Sequence, residues 1–74
     1  MQDFPTKLRL LREHRGLSQR RLADELGFSN VHLGYLESGK RKPTGEMVLK
    51  LSRFFGVTPN DLLLDEIEID FSEQ

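Results

Sequence analysis

Ser18-Gln19-Arg20-Arg21-Leu22-Ala23-Asp24-Glu25-Leu26-Gly27-Phe28-Ser29-Asn30-Val31-His32-Leu33-Gly34-Tyr35-Leu36-Glu37 is the stretch that decides the fold. Ser18 is a favourable helix N-cap, because its hydroxyl accepts from a first-turn amide that has no partner inside the helix. Leu22, Ala23 and Leu26 follow at helical spacing, and Gly27 supplies the left-handed backbone that stops the helix. After Phe28, Ser29 caps a second segment, about Asn30 to Ser38, whose Leu33 and Leu36 face inward and which Gly39 ends. Two short helices across a tight turn are expected, with Ala23 small enough for the second to cross closely over the first. Asn30, Val31, Gly34 and Tyr35, with His32 on the flank, are left on the outward face of the second helix.

The same punctuation extends both ways. Phe4, Leu8 and Leu11 share one face of a helix over about Pro5 to Arg15, closed at Gly16. Pro43 and Thr44 open another, with Val48, Leu51 and Phe55 on one stripe before Gly56. Thr58 and Pro59 then start a last helix to about Leu64, where Asp61 can complete a reciprocal cap. The expected class is all-α, five helices in one domain over residues 4–64, with no strand in that span.

Composition narrows the function. Seventy-four residues, 36% apolar and 31% charged, are those of a single globular domain with a small core. With no cysteine there is no disulfide, thiolate metal site or cysteine nucleophile, and His14 and His32 are the only histidines. No activated nucleophile, phosphate-cradling glycine loop or histidine-carboxylate metal spacing is present, so an enzyme, a cofactor and a metal are not expected. Neither a membrane-length apolar run nor a signal peptide's apolar stretch occurs, which reads as a cytoplasmic protein without a membrane partner.

The net charge of −1 conceals a split. Residues 1–55 carry all 11 Lys and Arg against six acids, a net of +5, whereas residues 56–74 carry six acids and no base, a net of −6. A basic body suits an anionic partner and the remainder, residues 65–74, reads as an acidic tail. In Glu66-Ile67-Glu68-Ile69-Asp70-Phe71 apolar residues alternate with acids, the period of a half-buried strand. Three arrangements are open for it: an intermolecular strand, a solvated tail, or an extension of the last helix. The acids Glu66, Glu68 and Asp70 need no cation, since the alternation accounts for their spacing.

The paired helices of residues 18–38 read as a helix-turn-helix, and the chain as a whole resembles the phage repressor and Cro-type, XRE-like family of transcription regulators. The resemblance covers residues 7–63 and rests on an ordered series: Leu8, Leu11, Arg12, Gly16-Leu17-Ser18-Gln19, Leu22-Ala23, Leu26-Gly27, Ser29, Leu33, Leu36-Glu37, Gly39-Lys40, Pro43, Leu51, Gly56-Val57 and Asp61-Leu62-Leu63. It implies a five-helix, phage-repressor-like domain that binds double-stranded DNA, with Gln19 on a phosphate and Arg12 and Glu37 as a structural ion pair.

Base reading is expected at the start of the second motif helix, from Asn30 on an adenine edge, Val31 on a thymine methyl, and His32 and Tyr35, each good contact being worth about 1–3 kcal/mol of discrimination. Phosphate contacts are expected from Gln19, Arg20, Ser29, Ser38 and the cluster Lys40-Arg41-Lys42. Cations in a first helical turn oppose the macrodipole, so Arg20 is better explained by phosphates than by helix stability, while Arg21 is equally well placed to pair with Glu25. Two residues depart from the family pattern: Gly34 removes a reader from the outward face, and Arg21 stands where a capping Glu is usual.

Leu10 and Phe54 lie off the main stripes, and with Ile67, Ile69 and Phe71 they offer a self-association surface. The expected assembly is a homodimer, dimerised through Ile67, Ile69 and Phe71, acting as a repressor on a palindromic operator with half-sites about 34 Å apart. The alternative is an antitoxin that autoregulates its operon and holds a toxin protein with the acidic tail.

Overall fold

Each helix starts at an oxygen that the sequence supplies for it. Asp3 Oδ1 accepts from the Thr6 amide, Ser18 Oγ from Arg21, Ser29 Oγ from His32 and Thr44 Oγ1 from Met47. Thr58 and Asp61 cap one another reciprocally, at 2.9 and 3.0 Å. The computed structural model describes residues 1–73, and among them these caps open five α-helices: α1 (Phe4–His14), α2 (Gln19–Leu26), α3 (Asn30–Ser38), α4 (Gly45–Phe55) and α5 (Pro59–Leu63). The class is all-α as the residue pattern requires. Helix α1 begins one residue before the expected Pro5, because Asp3 provides a cap and Pro5 sits comfortably in the first turn.

Helix α3 lies at the centre, packed on α1 and α2, while α5 closes against α1 and α4. Leu8, Leu11, Leu22, Ala23, Leu33, Leu36, Leu51, Phe55 and Leu62 are almost wholly removed from water. Gly27, at φ +75°, makes the turn between α2 and α3 as short as it is, and the Phe28 amide then donates to the Ala23 carbonyl at 2.9 Å.

Two cations tie helix ends together. Lys7 is fully buried, and its ammonium donates to the carbonyls of Asp61 and Leu64 at the end of α5, the latter at 2.6 Å. Arg15 donates to the carbonyls of Phe54 and Phe55 at 3.1 and 3.2 Å and stands over both rings. Both satisfy last-turn carbonyls that a helix cannot bond internally.

The tail does not extend α5, which ends at Leu63, and it is not wholly solvated, although Glu66, Glu68 and Asp70 are exposed. Among the described residues there is no strand; after a turn closed by the Ile67 amide on the Leu64 carbonyl, the chain runs back along α1 to a 3₁₀ turn at Phe71–Glu73. The Gln2 amide donates to the Asp65 carbonyl at 3.1 Å, the Ile69 amide to Gln2 Oε1 at 2.9 Å, and Phe71 rests against His14 with ring centroids 5.0 Å apart. Ile69, only 8% exposed, belongs to the core. The alternation does turn Ile67, Ile69 and Phe71 inward relative to the exposed acids between them, with Ile69 in the chain's own core and Phe71 packed against it. Within the single chain the Ile69 side chain is buried and its amide is bonded to Gln2.

Candidate nucleic-acid interface

Helix α3 presents its first turn to solvent. Asn30 is exposed, and Val31 is 62% exposed, an apolar side chain that the fold leaves in water beside an amide. Ser29 is exposed too, with its Oγ taken up by the His32 amide at 2.9 Å. His32 is half-buried, and its Nε2 is sequestered without a hydrogen-bond partner, so that nitrogen is turned away from the open face.

Tyr35, expected as a reader, has a different setting. Its ring is half-buried, with Lys40 Nζ at 5.4 Å and the Arg41 guanidinium at 5.7 Å from its centroid, and its carbonyl accepts from the Arg41 amide and the Ser38 hydroxyl, both at 3.3 Å. Tyr35 thus organises the basic loop, and cations within about 6 Å of a ring face are attracted by its quadrupole. The Ser38 hydroxyl points back to its own helix. Lys40, Arg41 and Lys42 are all exposed and follow α3 directly.

On the α2 side, Arg20 is exposed, whereas Arg21 pairs with Glu25, four residues on, at 3.1 Å. Gln19 is half-buried; its Nε2 donates to Glu37 Oε1 at 3.2 Å, and its Oε1 lies beside Gly34, 3.6 Å from where a Cβ would stand. The expected Arg12–Glu37 pair is present, Nε to Oε2 at 2.6 Å, and the Glu37 carboxylate raises the Arg12 guanidinium above its ordinary range. Residue spacing does not disclose the Gln19–Glu37 contact or the Tyr35–loop stack; the Gln19 match to the family and the aromatic near three cations are the signals that point toward them.

Arg20 on α2, Asn30 and Val31 on α3, and Lys40 to Lys42 after it are thus the exposed residues of the paired helices and the loop that follows them that could meet a nucleic acid. Among the described residues no group of histidine and carboxylates could hold a metal, and no helix is long and apolar enough to cross a membrane.

Known proteins resemble this chain in sequence and fold. The helix-turn-helix family profile matches residues 8–62. The chain is 38% identical over 71 residues to the HTH-type transcriptional activator BcrR of Enterococcus faecalis, covering 96% of this chain and 35% of that one. It is 41% identical over 69 residues to the cryptic phage CTXphi transcriptional repressor RstR of Vibrio cholerae, covering 90% and 61%. It thus spans about a third of the activator and three fifths of the repressor. A crystal structure of a transcriptional regulator from Listeria innocua superposes with a TM-score of 0.78 at 26% identity, covering 99% of this chain and 71% of that one. The chain belongs to the helix-turn-helix family of transcriptional regulators, of the XRE type.

Proposed function

We propose that the chain is a sequence-specific regulator that docks α3 in the major groove of double-stranded DNA and represses transcription, as a homodimer on a palindromic operator, by occluding polymerase. The observation that carries this reading is the exposed first turn of α3, which leaves Asn30 and Val31 open, with the exposed basic cluster Lys40 to Lys42 directly after the same helix. Asn30 offers a donor and an acceptor to an adenine edge, and Val31 a methyl surface to thymine. Arg20, Lys40, Arg41 and Lys42 supply phosphate contacts, with the N-terminus of α2 at Gln19 as a further anion-attracting feature.

Two copies are favoured by size. A helix of 9 residues such as α3 spans only about 13 Å, a few base pairs, so a long site needs a second reader. Leu49, Leu63 and Leu64, all exposed, are further apolar surface available for pairing. With the tail engaged on α1, nothing favours the toxin-binding alternative over this one.

Selection of bound sites from random duplexes tests the proposal directly: a two-fold symmetric consensus is expected, and no enrichment overturns sequence-specific binding. Asn30→Ala should relax preference at one base position, whereas Lys42→Ala should weaken all sequences alike and reduce the salt slope by about 1.

A further inference from the structure

The side chain of Gln19 is held before any DNA arrives. Glu37 has oxygens that only accept, so the group of Gln19 facing it is the Nε2 amide, which uses one of its two N–H bonds on Glu37 Oε1 at 3.2 Å. Glu37 is itself fixed by Arg12, which donates to both carboxylate oxygens, at 2.6 and 3.0 Å, and to the Leu17 carbonyl at 2.8 Å. The other end of the Gln19 amide, Oε1, lies against the backbone of α3 at Gly34. Thus an oriented guanidinium orients a carboxylate, which orients an amide at the first position of α2.

We propose that Glu37 is a positioning residue for DNA binding: by taking one N–H of Gln19 it fixes the amide plane and leaves the second N–H for a backbone phosphate. The inference rests on the docking reading above and adds to the ion pair a role beyond joining α1 to α3. Its physical content is preorganisation, because a long side chain already fixed in place loses less freedom on binding. Gly34 faces the amide from the other side, where a Cβ would stand in ordinary van der Waals contact with Oε1, at 3.6 Å.

The test separates holding the fold together from positioning Gln19. Replacing both members, Arg12→Met with Glu37→Met, exchanges the pair for apolar packing of similar volume, which often leaves stability unchanged or improved, yet releases Gln19. On a nonspecific duplex at low salt, Gln19→Ala is expected to weaken binding about tenfold, as for loss of a hydrogen bond to a charged group. The double replacement should weaken it about threefold, and should have no further effect when combined with Gln19→Ala. Wild-type binding matched by the double replacement, or equal losses with and without Gln19, would overturn the positioning role alone. A wild-type chain that binds no duplex overturns the docking reading together with this inference. Should the double replacement not fold, the wild-type chain decides by NMR: one Gln19 side-chain amide proton shifted and slow to exchange is expected, and an averaged pair overturns the proposal.

Discussion

Arg12 grips Glu37 across the junction of α1 and α3 with two hydrogen bonds, of 2.6 and 3.0 Å, and a third from the same guanidinium reaches the Leu17 carbonyl ahead of α2. Three segments converge on one cation. The side chains are 12% and 4% exposed, so removing one partner leaves the other charge largely desolvated. Glu37→Ala is expected to destabilise the fold by about 3 kcal/mol. Urea unfolding measures this, and a loss below about 0.5 kcal/mol would mean that the pair behaves like a solvated surface pair.

Lys7 is a stronger case of burial, since its ammonium reaches the end of α5 from beneath the α1 stripe. Lys7→Met keeps most of the volume and removes both donors, leaving the Asp61 and Leu64 carbonyls to find other partners. The expected cost is about 2 kcal/mol, read as a lower melting temperature with unchanged helix content at 10 °C. A variant as stable as wild type would show that these carbonyls lose nothing without the ammonium.

Tyr35 holds Lys40 and Arg41 against its ring. Tyr35→Phe keeps that face and should bind DNA nearly as wild type, whereas Tyr35→Ala frees the loop and should weaken binding of every sequence by about threefold. A base-reading tyrosine would behave differently: Tyr35→Phe would then change preference at one position of the selected site. Competition between the selected duplex and its single-base variants decides between them.

Acid should loosen the start of α1. The Thr6 hydroxyl and amide both donate to Asp3 and hold its carboxyl below the ordinary carboxylate range. A carboxyl more acidic in the folded chain than in the unfolded one contributes stability above the unfolded pKa, and loses it as pH falls through the folded value. Asp70, lowered by the Ser72 hydroxyl and amide, acts in the same direction on the tail. Asp3→Asn, which still caps but does not titrate there, should flatten the acid limb of stability against pH. An unchanged limb would exclude Asp3 as a contributor.

Legibility in the sequence followed distance along the chain. The caps at Ser18, Ser29, Thr44 and Thr58 and the glycine stops are local devices, and the helices begin and end where those residues place them. The outward placement of Asn30 and Val31 is equally local, being helical period alone. What spacing could not supply was the partner of a group that reaches elsewhere: the α5 carbonyls for Lys7, the α4 carbonyls for Arg15, Glu37 for Gln19. Tyr35 is outward by period, yet the loop after α3 folds onto it. The tail shows the same limit, since alternation says which residues share a side and not what that side meets.

The bond from the Ile69 amide to Gln2 Oε1 joins residues 67 apart in a chain whose other order is mostly helical and local. Closing so long a loop costs entropy that is recovered only once the five helices already hold both ends near each other. The tail should therefore dock after the rate-limiting step of folding and open early in unfolding. Ile69→Ala would then quicken unfolding several-fold while leaving the refolding rate untouched, and slow amide exchange would be confined to the helices beneath. In kinetic terms the last turn of the chain is a latch on the lifetime of the folded state, with no part in how quickly that state is reached.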